Sequence, residues 1–405
     1  MTNPSMSQLF GGICFVTRKS FERAWKSLRG RHLYFAPAVV AFVLMAFTVL
    51  GASAQSEVVT EPWSQKAQTA TEAFWTREMI ALAPALSMPV DMSKAEIDAA
   101  SSGEEAFTGP ESYSPAGRAE PGSDAFHRAF YPLDWQDLDE DWGALYRDAG
   151  SLELASPVLK GASQTYTYYE INRKNPLWKQ YPHIWVGKFT FTTPSGDASC
   201  SATAISNNHI VTAAHCVYDT PARNAFWTNK AFTPAYRNGS APYGTFATTG
   251  CTILTAYQNL SGSYTINGWA RYDVAVCSVG KNSAGQTLNQ AVGSAGRSWN
   301  FNYNQLHFNS GYPARNYNDK LLSGAAQYLR SCTAESFQQT TDTLGSGCYY
   351  GRGISGGPWL RDYKATYVSG YVNSVNSGLF FGTQNNYGAR FTSNNIVVLC
   401  NASGC

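Results

Sequence analysis

From about Thr165 the chain breaks into short aromatic and β-branched runs separated by Gly, Asn and Pro, and this texture constrains the fold most. Strand-like runs are Ile184–Thr193, Ser201–Ile205, His209–Ala213, Thr252–Tyr257, Val274–Val279, Gln327–Cys332, Pro358–Arg361, Thr366–Asn373 and Leu379–Gly382. So many short strands in the last 240 or so residues of a 405-residue chain imply an all-β sandwich or barrel assembly. A short helix is expected at Asn394–Cys400, capped by Ser393. No internal repeat is visible.

The preceding segments differ. Arg18, Lys19, Arg23, Lys26, Arg29 and Arg31 form a basic region before the apolar run Leu33–Leu50. Ala52-Ser53-Ala54 follows as a small-residue cleavage site, so residues 1–54 read as an export signal, with Gln55 the first residue after cleavage. The basic region is long enough that translation could begin at Met6. The competing reading is an uncleaved membrane anchor. Residues 55–164 carry no cysteine, a Ser/Gly/Pro/Glu-rich stretch at Ser101–Asp124, and an acidic run at Asp137–Asp141. Helical patches are expected at Lys66–Leu82 and Leu138–Ala149, with linker between. The position of this segment suggests a pro-segment; the bland alternative is a solvated tail. The net charge of +2 gives no reason to expect nucleic acid or an anionic surface as partner.

Setting aside Cys14 in the export segment, eight cysteines remain: Cys200, Cys216, Cys251, Cys277, Cys332, Cys348, Cys400 and Cys405. An even set in an exported chain reads as disulfides, and sequence alone leaves the connectivity open. Without CxxC pairs a metal site is not expected, nor is a cofactor.

Two runs carry chemistry when read together. Thr212-Ala213-Ala214-His215-Cys216 follows a strand-like stretch, and Gly353-Ile354-Ser355-Gly356-Gly357-Pro358 brackets a serine with glycines. Between them Asp273 opens the apolar run Val274–Val279. Nucleophilic hydrolysis needs a nucleophile, a base, a group orienting the base and donors for the oxyanion. Ser355, His215 and Asp273 fit the first three roles. Any one serine or histidine would ordinarily be structural; the paired contexts reverse that reading here. His183, His209 and His307 lack such a context and read as surface or packing residues, and His32 and His127 precede the β-rich part. Asp219, Asp319, Asp342 and Asp362 are weaker candidates than Asp273, which alone opens a central apolar strand.

With the order His, Asp, Ser, the chain resembles the chymotrypsin-fold serine peptidases, in their secreted bacterial trypsin-like and V8-like branch. Val186-Gly187-Lys188-Phe189 and Gly311-Tyr312-Pro313 are also similar to that branch. The resemblance implies two β-barrels over residues 165–405 and an oxyanion hole from the backbone N–H groups of Gly353 and Ser355. It implies a Cys200–Cys216 bridge tying the histidine loop; sequential pairing of the rest, Cys251–Cys277, Cys332–Cys348 and Cys400–Cys405, is expected with it. It places Tyr349 at the floor of the substrate pocket and Val372 and Asn373 on its wall. Without an acidic residue at the floor or a histidine on the wall, uncharged side chains should be preferred, with Arg352 as a possible partner for an acidic one. One departure stands out: trypsin-like enzymes carry aspartate before the nucleophile, to pair with a new N-terminus, and here it is Ile354.

The expected function is thus a secreted, monomeric serine endopeptidase acting on proteins or peptides, meeting a membrane only through its export signal. Periplasmic or cell-surface locations, a membrane-anchored peptidase and a catalytically silent binding protein on the same fold are the alternatives.

Overall fold

Residues 57–86 do not stand apart from the β-rich part; they pack on it. The structure, a computed structural model, describes residues 57–86, 109–117, 119, 165–171, 176–220, 223–260, 269–364, 369–379 and 383–405. The expected export segment 1–54 and the expected helix Leu138–Ala149 lie outside these residues. Strand β1 (Val58–Thr60) is followed by helices α1 (Gln65–Phe74) and α2 (Arg77–Leu82). One helix was expected over Lys66–Leu82. It splits because Trp75 is extended and the Thr76 hydroxyl caps α2, accepting from the Met79 N–H. Two short strands follow, β2 (Ser112–Ser114) and β3 (Tyr166–Glu170).

The first barrel comprises β4 (Val186–Thr193), β5 (Gly196–Ile205), β6 (His209–Thr212), β9 (Thr228–Pro234), β10 (Phe246–Leu254) and β11 (Ala275–Val279). A small hairpin, β7 (Tyr218–Asp219) with β8 (Ala225–Phe226), lies between β6 and β9. The hydrogen-bonded order is β10, β11, β6, β5, β4, β9, and β9 returns to β10 through Phe246↔Phe232, which closes the barrel. Closure leaves no open edge among these six. The second half of β10 takes β1, with Val58 opposite Leu254. Phe189, Phe191, Phe232 and Phe246 are fully buried here, each worth roughly 1.5–3 kcal/mol of transfer free energy.

The second sheet holds β12 (Gly296–Trp299), β13 (Leu306–Gly311), β14 (Arg330–Gln338), β15 (Thr343–Gly347), β16 (Pro358–Lys364), β17 (Ser369–Val375), β18 (Gly378–Leu379) and β19 (Asn385–Ala389). β2 pairs with β12 and β3 with β14, so one segment from the middle of the 55–164 region and one just past its border enter this sheet. A barrel and a second sheet make up the all-β chymotrypsin-like architecture expected. At the C-terminus the helix is α3 (Val398–Ser403), preceded by a wider turn at Ser393–Val397. Its cap is Thr392 rather than Ser393: the Thr392 hydroxyl accepts from the Asn394 N–H, while the Ser393 hydroxyl faces the Asn300 amide. Four disulfides are formed, Cys200–Cys216, Cys251–Cys277, Cys332–Cys348 and Cys400–Cys405.

Candidate active site

His215 follows β6 in a single helical turn, Ala214–Cys216, tied through Cys216 to Cys200 on β5. Asp273 stands immediately before β11, the strand that pairs with β6. This pairing brings them together: Asp273 Oδ2 lies 2.7 Å from His215 Nδ1, and Oδ1 accepts the His215 backbone N–H at 2.8 Å. Asp273 is fully buried and His215 nearly so. A buried carboxylate is costly unless its oxygens are engaged. Here both are, because the Ser377 hydroxyl also donates to Oδ2. The Trp227 indole N–H donates to the His215 carbonyl at 3.1 Å and fixes the loop from the other side.

The loop carrying Ser355, the candidate nucleophile, comes from the second sheet, just before β16. Gly356 has φ +75°, and a Cβ there would collide with the Thr212 hydroxyl and the Ser201 carbonyl. Glycine therefore lets the loop approach the end of β6, where Ala213 lies two residues from His215. The Ser201 N–H donates to the Ser355 carbonyl at 2.7 Å. Ser355 is fully buried, and among the described residues neither Ser355 Oγ nor His215 Nε2 has a hydrogen-bond partner.

The backbone around Ser355 is fixed peptide by peptide. The N–H of Gly353 shares a plane with the Arg352 carbonyl, which accepts from the Ala314 N–H at 2.7 Å. The N–H of Ser355 shares a plane with the Ile354 carbonyl, which accepts from the Gly357 N–H at 2.8 Å. Gly353 adopts φ +95°, a conformation open to glycine. No described residue takes the N–H of Gly353 or Ser355. Such preorganised donors suit an oxyanion.

Sequence reasoning missed Ser201. Its hydroxyl donates to the Gly353 carbonyl at 2.9 Å and accepts the Tyr312 N–H at 2.8 Å, tying β5 to the Ser355 loop. It sits beside Cys200, but nothing local marks it. Ser377 was also missed, since its contact with Asp273 spans the two halves of the fold.

The other expected residues fall as follows. Tyr349 stacks on Tyr168 with ring centroids 4.2 Å apart, and its hydroxyl receives the Asn316 amide. Val372 and Asn373 lie within β17, upstream of the residue that bonds Asp273. Val372 is buried in β17 opposite Leu360, and Asn373 accepts from Ser298 and faces His307. The stretch that reaches Asp273 is Asn376-Ser377, in the turn between β17 and β18. Gly356 N–H donates to the Asn376 carbonyl at 2.8 Å and Asn376 N–H to the Gly357 carbonyl at 2.9 Å, which puts Ser377 against Asp273. Arg352 is paired with Asp319 at 2.7 Å. His307 and His209 are packing residues, and burial pushes His307 down to about 3. His215, Cys200 and Cys216 cluster as metal ligands might, but both sulfurs are used in a disulfide.

The family profile described as Trypsin matches residues 179–395, more than half of the chain. The chain belongs to the trypsin family. It is a serine-type endopeptidase by that membership. Among solved structures, the protease Anisep from Arthrobacter nicotinovorans is 30% identical over 54% of this chain and 95% of its own, with a TM-score of 0.46. The thermostable serine protease AL20 from an extremophilic microorganism is 28% identical over 55% and 97%, with a TM-score of 0.45. A Glu endopeptidase in complex with MPD is 20% identical over 59% and 97%, with a TM-score of 0.44. No curated protein matches the chain.

Proposed function

We propose that this trypsin-family chain is an exported endopeptidase that works through an acyl-enzyme on Ser355, with His215 as base and acid and Asp273 orienting it. The grip of Asp273 on both the ring and the backbone of His215 carries the reading. With Nδ1–H held by the carboxylate, Nε2 is left to accept a proton. Ser355 Oγ attacks the peptide carbonyl carbon as His215 Nε2 takes its proton. The negative oxygen of the tetrahedral intermediate meets the N–H groups of Gly353 and Ser355. The C–N bond breaks as His215 returns the proton to the leaving amine. Water, deprotonated by His215, then releases the acyl group as an acid and restores the Ser355 hydroxyl.

The basic and apolar leader with its Ala-Ser-Ala site, together with four disulfides, supports export. Among the described residues no helix is long and apolar enough to cross a membrane. Tyr349, with its ring stacked, and Arg352, with its charge already met by Asp319, support a preference for uncharged side chains before the scissile bond. Residues 55–164 act in this reading as a pro-segment. The test is fluorophosphonate labelling and peptide-library cleavage by the purified protein. Labelling lost in Ser355→Ala, with cleavage after uncharged residues, is expected. A folded wild-type protein that neither labels nor cleaves is a silent binding protein.

A further inference from the structure

Residues Ala83–Leu86, just after α2, run along β5 at the candidate site. The Ser199 N–H donates to the Pro84 carbonyl at 2.6 Å, and the Leu86 N–H donates to the Ser199 carbonyl at 2.8 Å. Ala85 is thereby registered parallel to Ser199. The Ser199 hydroxyl donates to the carbonyls of Ala83 and Pro84, each 3.1 Å away. Ser199 directly precedes Cys200, whose disulfide holds the His215 loop. On its other side the strap meets the nucleophile loop: a Cβ built on Gly353 would stand 3.0 Å from the Ala85 Cβ.

An apolar anchor holds the strap upstream. Trp75, Ile80 and Ala83 are buried in one cluster with Ile171, Val186, Ala231, Tyr236, Tyr312 and Leu329. The Trp75 indole N–H donates to the Asn229 carbonyl at 2.5 Å, and the Gln327 amide to the Ala81 carbonyl at 2.6 Å. Under the strap lies Lys188, fully buried. Its Nζ donates to the Ala83 carbonyl at 3.3 Å and lies 5.3 Å from the Tyr236 ring centre. No carboxylate faces it among the described residues. Covering an ammonium with only a carbonyl and a ring face is unfavourable, and the carbonyl is the strap's own.

Amide hydrolysis fixes which side of the site this is. His215 must protonate the departing amine, so the leaving half of a substrate passes His215 and the Cys200–Cys216 bridge. Ala83–Leu86 occupy that side. We propose that Trp75–Leu86 is a tethered inhibitor of this peptidase, seated on the edge of β5 at Ser199 where the leaving half of a peptide substrate would lie. The proposal rests on the peptidase reading above. The strap meets Gly353 with a methyl group, and no described carbonyl takes the Gly353 N–H, so it fills the site without presenting a bond to be cut.

The test uses the full chain as exported, with the strap intact, and an internally quenched peptide extended on both sides of the scissile bond. Leu86→Pro removes the N–H given to Ser199 and should raise the cleavage rate about tenfold. Trp75→Ala loosens the anchor without touching the β5 pairing, so it carries the same direction of change if Leu86→Pro does not fold. A synthetic peptide spanning residues 72–88 should return either variant toward the wild-type rate. Wild type cleaving as fast as both variants, or a peptide that does not inhibit, overturns the strap. Fluorophosphonate labelling separates the two readings. Equal labelling of wild type and folded variants with no rate difference removes the strap alone, whereas no labelling of any folded form removes the peptidase reading itself.

Discussion

Ser201→Ala probes the proposed oxyanion hole without touching a proposed reacting group. The hydroxyl is fully buried and makes two bonds, to the Gly353 carbonyl and from the Tyr312 N–H. Alanine leaves both partners unpaired in the interior, at about 1–3 kcal/mol for each group stranded. The backbone bond from Ser201 N–H to the Ser355 carbonyl persists, as does the bond holding the Arg352 carbonyl to Ala314. Gly353 therefore loses one of the two constraints that flank it. Complete loss of an oxyanion donor costs about 10²–10³ in kcat, and a loosened one should cost about tenfold. Steady-state kinetics on a peptide amide should show the fall in kcat with KM nearly unchanged, because the interaction matters only once the oxyanion forms. Affinity for a peptidyl boronate should fall in parallel with kcat/KM. A lower thermal midpoint with unchanged kcat and boronate affinity would refute the reasoning and leave Ser201 a packing residue.

Other perturbations are expected to separate roles in the same way. Asp273→Asn should lower kcat by about 10⁴, the size of the corresponding change in a trypsin, because an amide cannot accept from both the His215 ring and its backbone; stopped or steady-state assays read this directly. Breaking Cys200–Cys216, with sequence separation 16, should cost about 3 kcal/mol and most of the activity. Breaking Cys400–Cys405, with separation 5, should cost about 2 kcal/mol and leave activity, as urea titration and turnover of each Cys→Ser pair would show. Burial pushes the Lys188 ammonium from 10.5 down to about 7. Between those values the unfolded chain binds the extra proton, so stability rises with pH by at most about 1.4 kcal/mol per unit, and the full cost is present below pH 7. Lys188→Met should flatten that slope in urea midpoints and be the more stable protein at pH 6.

Much of the fold was legible because its signals are local. β4, β6 and β11 fall within a few residues of their expected runs, and each is a short apolar stretch closed by turn residues. The site was legible for the same reason: the residues around His215 and Ser355 are what a tight strand-to-turn junction and a close-packed loop require. What was not legible depends on contacts between distant parts. Tyr371-Val372-Asn373 and Ser377-Gly378-Leu379 are both plausible strand sequences, and only the fold shows which of them meets Asp273. Ser112–Ser114, inside a stretch read as linker, becomes an edge strand because β12 offers it an unpaired side. Trp75 looks like a helical residue until the groove formed by Val186, Ala231 and Leu329 takes it.

Ile354 links these observations. In the trypsin-like pattern an aspartate at this position pairs with a new N-terminus, and the pairing helps order the nucleophile loop. Here Ile354 is fully buried in an apolar cluster with Cys332, Cys348, Tyr350 and Leu379. Its loop is ordered by other means. Ala314 and Gly357 fix the peptide planes that carry the Gly353 and Ser355 N–H groups, Ser201 holds the Gly353 carbonyl, and Asn376 brackets Gly356 and Gly357. None of these contacts waits for a new chain end. A site already built in this way gains little from a cut that supplies an ammonium group, and any control over it must act on access. The part of the chain that touches both the Ser199 edge and Gly353 is Ala83–Leu86. The same segment supplies the Ala83 carbonyl that accepts from the buried Lys188 Nζ. An Ile354→Asp variant therefore should gain nothing from cleavage and should lose stability, since it places a carboxyl in an apolar cluster with no cation described beside it. If trimming the N-terminal segment raised the activity of Ile354→Asp but not of wild type, control would lie in the ordering of the loop, and the strap would be incidental.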